Sequence, residues 1–225
     1  MHKKRGYERK TFHELHRDHK LFVIACEGSK TEPNYFRLFE YLSRRVTVDV
    51  IGDDEDSVDE RNKSAPNWVL DRAITYTEEE NLIEDDELWF VMDIDKWDEE
   101  QIRLIAQHCF ETPNWNIVLS NPCFEVWLIL HKKRDLTAFR AMNCRELKHE
   151  LSLLERGGYN PLKFIPQIHE AILNAKDIDK YPEYFWPEEL VTKVYQLCEA
   201  VFEKVAANEF DEFLTKTLPG LLRKS

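Results

Sequence analysis

The sequence predicts an α/β fold, in which helices flank a parallel sheet and an all-helical extension follows. Between residues 21 and 132, four apolar strand patterns alternate with four helical patterns, and this order is typical of a parallel sheet. Three of the four strands end in polar residues followed directly by the start of a helix. Ligands of parallel α/β sheets bind outside the carboxyl ends of the strands, so functional residues are expected there.

The strands are assigned from runs of continuous or alternating apolar residues. They cover 21–26 (LFVIAC), 46–51 (VTVDVI), 86–97 (DELWFVMDIDKW) and 115–122 (WNIVLSNP). Apolar residues at helical spacing follow them at 31–45, 67–79, 98–111 and 123–133. The charged stretch 52–66 contains few apolar residues and is expected to be a surface loop.

Three regions are expected along the chain. They are a basic N-terminal arm (1–20), an α/β domain (21–133), and a helical extension (134–225) packed on or beside that domain. Within the extension, helical spacing covers 138–156, 165–177, 186–207 and a short piece at 209–217.

Composition excludes several classes of protein. The chain has 225 residues, of which 43% are hydrophobic, so it can bury a large core. No apolar run approaches the roughly 20 residues that a membrane span requires. Five cysteines without a CxxC pair indicate reduced thiols and argue against a structural zinc site. We therefore expect a cytoplasmic protein without a membrane partner.

The net charge of −12 argues against a protein that coats nucleic acid non-specifically. The arm 1–20 reverses this balance, with seven Lys/Arg and four His against three acids. Such an arm could hold a phosphate backbone, or it could be a solvated tail.

Asp93 and Asp95 lie two residues apart at the end of the third strand pattern. Residues i and i+2 of an extended strand face the same side, so their carboxylates would point together and repel. Mg²⁺ or Mn²⁺ suits hard oxygen ligands of this kind. The alternative is that both acids accept hydrogen bonds and cap the next helix. The similar DIDKY (177–181) follows a helical stretch, and its acids are interpreted as a solvated helix end.

Glu27 and Gly28 end the first strand pattern, in CEGSKTEPNYF (26–36). Thr31 is expected to cap the following helix, and Glu27 lies too early in the chain to do so. Glu27 could therefore be a further metal ligand or a general base for water. Gly28 would let the backbone approach a phosphate closely, and Lys30 would neutralise one, unless these residues form only a tight turn with a solvated lysine.

The stretch SNPCFEVWLILH (120–131) follows the fourth strand pattern. Asn121 is expected to cap a helix that has Pro122 at its first position. Glu125 lies in the first turn, where it can reach the strand ends. It can instead compensate the helix dipole, and the pattern alone favours this second interpretation. His131 is expected to be a packed or helix-end histidine rather than a general base.

Together, CEGSKTEPNYF, VMDIDKW and SNPCFEVWLILH resemble the RloB family, which is similar to the Toprim domains of topoisomerases, primases and OLD-type nucleases. The resemblance covers roughly residues 20–132. It implies a Rossmann-like, Toprim-like sheet, with Glu27 as the acid/base residue and Asp93 and Asp95 as Mg²⁺ ligands. It also places Asn121 and Glu125 at the same site. RloB-like proteins are associated with bacterial defence loci, often beside an ATPase.

The favoured hypothesis is a metal-dependent nuclease that acts on RNA or DNA in antiviral defence. Mg²⁺ or Mn²⁺ would bind Asp93, Asp95 and Glu125, and Gly28 and Asn121 would contact the substrate. Glu27 would activate water, and Lys30 or Lys96 would neutralise developing charge. The alternatives are a nucleotide- or metal-sensing regulatory module that docks on a partner ATPase, and a toxin-like effector that a partner restrains. The chain has no GxxxxGK[ST] P-loop, so an energy-driven step would need such a partner.

Overall fold

The computed structural model describes residues 19–51, 66–80, 82–95, 97–155 and 158–224. The predicted basic arm, apart from its last two residues, lies outside these ranges. So do Lys96 and nearly all of the predicted loop 52–66.

The four predicted strands form one parallel sheet. They are β1 (Lys20–Cys26), β2 (Val46–Ile51), β3 (Glu87–Asp93) and β4 (Trp115–Ser120). Their order is β2-β1-β3-β4, which places β1 and β3 at the centre. The predicted α/β, Rossmann-like class is confirmed.

Helices connect these strands and follow the last of them. They are α1 (Thr31–Phe36), continued by a 3₁₀ turn (Arg37–Tyr41), α2 (Pro66–Glu80), α3 (Glu99–Glu111) and α4 (Glu125–Leu130). The C-terminal region contains α5 (Cys144–Leu154), α6 (Ile168–Ile178), α7 (Val194–Phe202), α8 (Ala207–Glu212) and α9 (Leu218–Leu222). None of the helices in the described ranges has the length and apolarity needed to cross a bilayer.

Both faces of the sheet are covered. After their first residue, β1 and β3 are buried throughout, as expected for central strands of a parallel sheet. On one face, Val23 and Phe90 pack with residues of α2 and α3. On the other face, Phe22 and Ile24 share a core with residues of α4 to α9. The C-terminal helices thus complete the hydrophobic core of the sheet.

An extended segment after α6 pairs with the end of β4. Thr192 forms an antiparallel bridge with Ser120. The Asn121 N–H donates to the Val191 carbonyl at 2.9 Å, and the Lys193 N–H donates to the Leu119 carbonyl at 2.8 Å. The prediction of a helix from 186 was therefore wrong at its start, because the helix begins only at Val194 and residues 191–193 pair with β4 instead. Tertiary pairing of this kind is invisible to helical periodicity.

The prediction that Asn121 caps the helix after β4 is also wrong. The helix begins at Glu125 with Phe124 in the N-cap position, and the Asn121–Pro122 peptide bond is cis. The Asn121 side-chain amide instead donates to the Pro187 carbonyl at 3.1 Å. Asn121 thus ties the extended segment to the sheet through both its main chain and its side chain.

The two acids of DIDKY have different environments, and the interpretation as a solvated helix end was wrong for one of them. Asp177 is exposed and pairs with Arg134. Asp179 is buried and accepts hydrogen bonds from the Lys193 ammonium, at 2.8 and 2.6 Å, and from the Tyr195 hydroxyl at 2.8 Å. The burial follows because α6 ends against the segment that carries Lys193.

These two acids allow a matched test of burial. Removing one partner of a buried ion pair leaves the other charge uncompensated, so Asp179→Asn should lower the free energy of unfolding by about 3–5 kcal/mol. Asp177→Asn breaks an exposed pair and should cost less than about 1 kcal/mol. Urea denaturation of both variants measures the difference, and equal effects would contradict a buried Lys193–Asp179 pair.

Candidate metal centre

Carboxylates from three chain segments meet at the carboxyl edge of the sheet. Glu27 directly follows β1, Asp93 is the last residue of β3, and Glu125 is the first residue of α4. β1 and β3 are hydrogen-bonded neighbours, and β3 also pairs with β4. The strand order thus brings together residues that lie up to about a hundred positions apart in sequence.

Glu27 is fixed beside Asp93. The Asp93 N–H donates to Glu27 Oε2 at 3.1 Å, and Glu27 is buried with 4% exposure. Asp93 and Glu125 are also buried, with exposures of 9% and 3%. Carboxylates are rarely buried in proteins unless their charge is compensated, so three of them at one edge require neighbouring positive charge or protons.

The geometry of this cluster suits a cation. One ligand atom each of Asp93, Cys123 and Glu125 lies within 4.8 Å of the other two. A hydrogen bond with Cys144, and then burial, raise the pKa of the Cys123 thiol. The thiol therefore stays protonated, which leaves the carboxylate oxygens as the donors. Hard oxygen donors fit Mg²⁺ or Mn²⁺.

Glu32 is a fourth member that the sequence analysis missed. It lies in the first turn of α1, where an acid is ordinarily explained by the helix dipole. Its carboxyl pKa is raised to about 7, by burial first and then by the Glu125 and Glu27 carboxylates. The only sequence signal was its position, five residues after Glu27.

Gly28 makes room for Glu32. A Cβ atom at residue 28 would lie 2.7 Å from Glu32 Cδ and 2.9 Å from Oε1, which is closer than such atoms approach. The absence of a side chain at Gly28 therefore lets a carboxylate lie directly over the backbone. The predicted contact between Gly28 and a substrate phosphate stays a prediction.

The surroundings of Asp93 strongly disfavour its charged form. Burial raises its pKa well above the usual range, and the neighbouring carboxylates of Glu32, Glu27 and Glu125 raise it further. Asp95 contributes less to this repulsion than Glu32, Glu27 and Glu125 do. Like charges thus surround Asp93 on several sides.

Asp95 lies at the margin of the cluster. The strand β3 ends at Asp93, so the strand alternation that should have aligned the two side chains does not extend to Asp95. Asp95 is exposed and is not among the three described residues that converge on one point. Its role as a metal ligand stays a prediction.

Among the described residues, the ammonium group that contacts the carboxylate cluster does not come from either predicted lysine. Lys30 is exposed and occupies the N-cap position of α1, which had been predicted for Thr31. Lys96 lies outside the described residues. Lys148 of α5 instead places its ammonium 3.6 Å from Glu125 Oε1, and its side chain is 59% exposed. Since α5 belongs to the C-terminal helices, no local pattern in the sequence could have pointed to this contact.

His131 is a packed histidine, as predicted. Its Nδ1–H donates to the Trp127 carbonyl at 2.9 Å, so Nε2 accepts from the Tyr35 hydroxyl at 2.9 Å. Burial is the main reason that its pKa falls to about 3. The neutral ring therefore supports α4 from within the core and takes no part in acid–base chemistry.

Glu32 should make the metal-free protein less stable at alkaline pH. Its carboxyl group holds a proton up to about pH 7 when folded and loses it near 4.5 when unfolded, so the folded state binds more protons between these values. The free energy of unfolding in EDTA should therefore fall as the pH rises through this range. Urea denaturation between about pH 5 and about pH 8 measures this fall, and Glu32→Gln should reduce it.

Glu100→Gln is the matched control, because Glu100 is an exposed acid in the first turn of α3. This substitution should leave the pH dependence of the free energy of unfolding unchanged. A pH dependence of Glu32→Gln equal to that of the wild type would contradict the enclosure of Glu32 among the other carboxylates.

A family model described as RloB-like protein matches residues 22–201. No curated protein and no solved structure matches the chain. The matched range covers the carboxylate cluster, α5, α6, the sheet apart from its first two residues, and α7 apart from its last residue. The chain therefore belongs to the RloB-like family.

Proposed function

We propose that this protein is a metal-dependent nuclease that hydrolyses phosphodiester bonds of RNA or DNA. The observation that supports this most is the convergence of Glu27, Asp93 and Glu125, with Glu32, at the carboxyl edge of the sheet. Substrates of open parallel sheets bind at this edge. The resemblance to Toprim-type nucleases supports the same chemistry, and the association of RloB-like proteins with defence loci suggests a role beside a partner ATPase.

Asp93 and Glu125 would hold the cation, with Asp95 on the exposed side. A bound Mg²⁺ or Mn²⁺ would polarise the phosphate and neutralise charge that develops on its oxygens. The buried carboxylates of this chain are suited to hold such an ion because their mutual repulsion is relieved when it binds.

Glu27 would act as the general base or would position water. Its hydrogen bond from the Asp93 N–H fixes the carboxylate next to the proposed ligands, within reach of a water molecule that attacks the phosphate. Lys30 and Lys96 flank the ends of β1 and β3 in sequence and would neutralise substrate charge. Gly28 and Asn121 remain the proposed substrate contacts.

Lys148 would regulate occupancy of the site. Its ammonium approaches Glu125 from the solvent side and would compete with a cation for that carboxylate. When a cation binds, the exposed lysine can turn towards substrate phosphate instead.

Replacing Asp93 should abolish cleavage without unfolding the protein. Asp93→Asn removes a proposed ligand and keeps the size of the side chain, so the rate should fall about 100-fold or more. Asp95→Asn should have a smaller effect because Asp95 is exposed. The measurement is cleavage of total tRNA, single-stranded DNA and plasmid with Mg²⁺, Mn²⁺ or EDTA.

Asp177→Asn serves as the control for this series, since Asp177 is an exposed acid that pairs with Arg134 in the helical region. It should cleave as the wild type does. Full activity of Asp93→Asn, or cleavage that persists in EDTA, would overturn the proposed function.

Removing Lys148 should tighten metal binding. Lys148→Met eliminates a cation that competes for Glu125. Because the Lys148 side chain is exposed, solvent screens the pair, and we expect a contribution of about 0.2–1 kcal/mol, or a change in affinity of up to roughly fivefold. The rise in melting temperature with added Mn²⁺ measures the affinity. Lys216→Met, which breaks an exposed pair with Glu212, is the control and should leave it unchanged. Weaker Mn²⁺ binding by Lys148→Met would contradict the competition.

A further inference from the structure

A second surface feature lies beside the edge strand β2. A groove of about 470 Å³ lies between the end of β2 and the helix α2. Its lining includes an aromatic ring and two guanidinium groups, from Trp68, Arg37 and Arg72. A groove of this size can accept one nucleotide.

Arg72 connects the groove to the proposed metal centre. Its Nη2–H donates to the carbonyl oxygen of Cys26 at 3.3 Å, and Cys26 directly precedes Glu27. Arg72 of the groove therefore contacts the main chain directly before Glu27.

Trp68 supplies a flat apolar surface in this groove. It lies in the first turn of α2, and 48% of the residue is exposed. Its neighbours in the helix, Val69 and Leu70, are buried, so the packing of α2 fixes the main chain that carries the exposed ring. Exposed aromatic rings of this kind stack on the bases of single-stranded nucleic acids.

Arg37 supplies the complementary charge. It is exposed at the start of the 3₁₀ turn after α1, where one of its guanidinium N–H groups donates to Asn34 Oδ1 at 3.3 Å. The remaining N–H donors of a guanidinium match the oxygens of a phosphate. A base on Trp68 and a phosphate at Arg37 are both parts of one nucleotide.

We propose that this groove binds one nucleotide of a single-stranded nucleic acid, next to the phosphate that is cleaved. This inference rests on the proposed nuclease function and specifies its substrate as a single strand. A base that is paired within a duplex cannot turn its face to an indole ring, whereas a base of a single strand can.

Acidic residues in the groove limit where the phosphate can lie. Asp49, Asp71 and Glu79 also line it, and the Asp49 carboxylate accepts a hydrogen bond from the Tyr76 hydroxyl at 2.6 Å. These acids disfavour phosphates outside the arginine end. We therefore expect stacking to provide most of the affinity, with a log–log salt slope of only about −0.7 to −1.4 for one or two phosphates.

Trp68→Ala tests the groove directly. The probes are fluorescein-labelled oligo(rU) and oligo(dT) of about 12 nucleotides, and fluorescence anisotropy in EDTA measures their binding without cleavage. Loss of one stacked base should weaken binding about tenfold for both probes. Trp68→Phe retains an aromatic ring and should restore most of the affinity.

Phe110→Ala is the matched control, because Phe110 is an exposed aromatic residue of α3 that does not line the groove. It should bind both probes as the wild type does. Arg37→Gln should weaken binding a few-fold and reduce the magnitude of the salt slope by about 0.7.

Two results would overturn the proposal: wild-type affinity of Trp68→Ala, or tighter binding of a duplex than of the single strands. Failure of the groove proposal can be told apart from failure of the proposed nuclease function. If Trp68→Ala loses binding in EDTA and the wild type cleaves nothing with Mg²⁺ or Mn²⁺, the groove is supported and hydrolysis is rejected. If Trp68→Ala cleaves with wild-type KM, the groove is rejected and hydrolysis is unaffected.

Discussion

Repulsion among enclosed carboxylates is the constraint on which the proposed site depends. Glu27, Glu32, Asp93 and Glu125 are held together by elements whose positions the parallel sheet and its core determine. The hydrogen bond from the Asp93 main chain to Glu27 prevents the two strand ends from relaxing apart. The hydrophobic packing on both faces of the sheet therefore supplies the free energy that keeps these charges close, and protons or a cation must compensate for the rest.

The C-terminal helices contribute to this arrangement directly. They share a hydrophobic core with β1, β3 and β4, and α5 carries Lys148 to the solvent side of Glu125. The extended segment before α7 holds the end of β4 through main-chain hydrogen bonds and through the Asn121 side chain. These contacts stabilise the strand end from which α4, and therefore Glu125, follows.

Local patterns were sufficient to predict the strands, their parallel arrangement and two residues of the cluster. Glu27 and Asp93 could be found because a buried strand that ends in an acid, with a helix following, places that acid at a known edge. For Glu125 the pattern alone favoured compensation of the helix dipole, and the family resemblance placed it at the site. Glu32 and Lys148 could not be found, since an acid in a first helical turn and an exposed lysine both have ordinary explanations. The position of Asp95 depended on where β3 stops pairing, and the burial of Asp179 depended on Lys193, fourteen residues later. Such long-range contacts leave no periodic signal in the sequence.

The antiparallel bridge between Ser120 and Thr192 also affects how copies of the chain can associate. Parallel sheets with an open edge strand present unpaired main-chain groups that can recruit another molecule. At the carboxyl end of β4, residues 191–193 of the same chain already occupy those groups. The bridge thus protects the edge nearest the proposed active site against intermolecular strand addition.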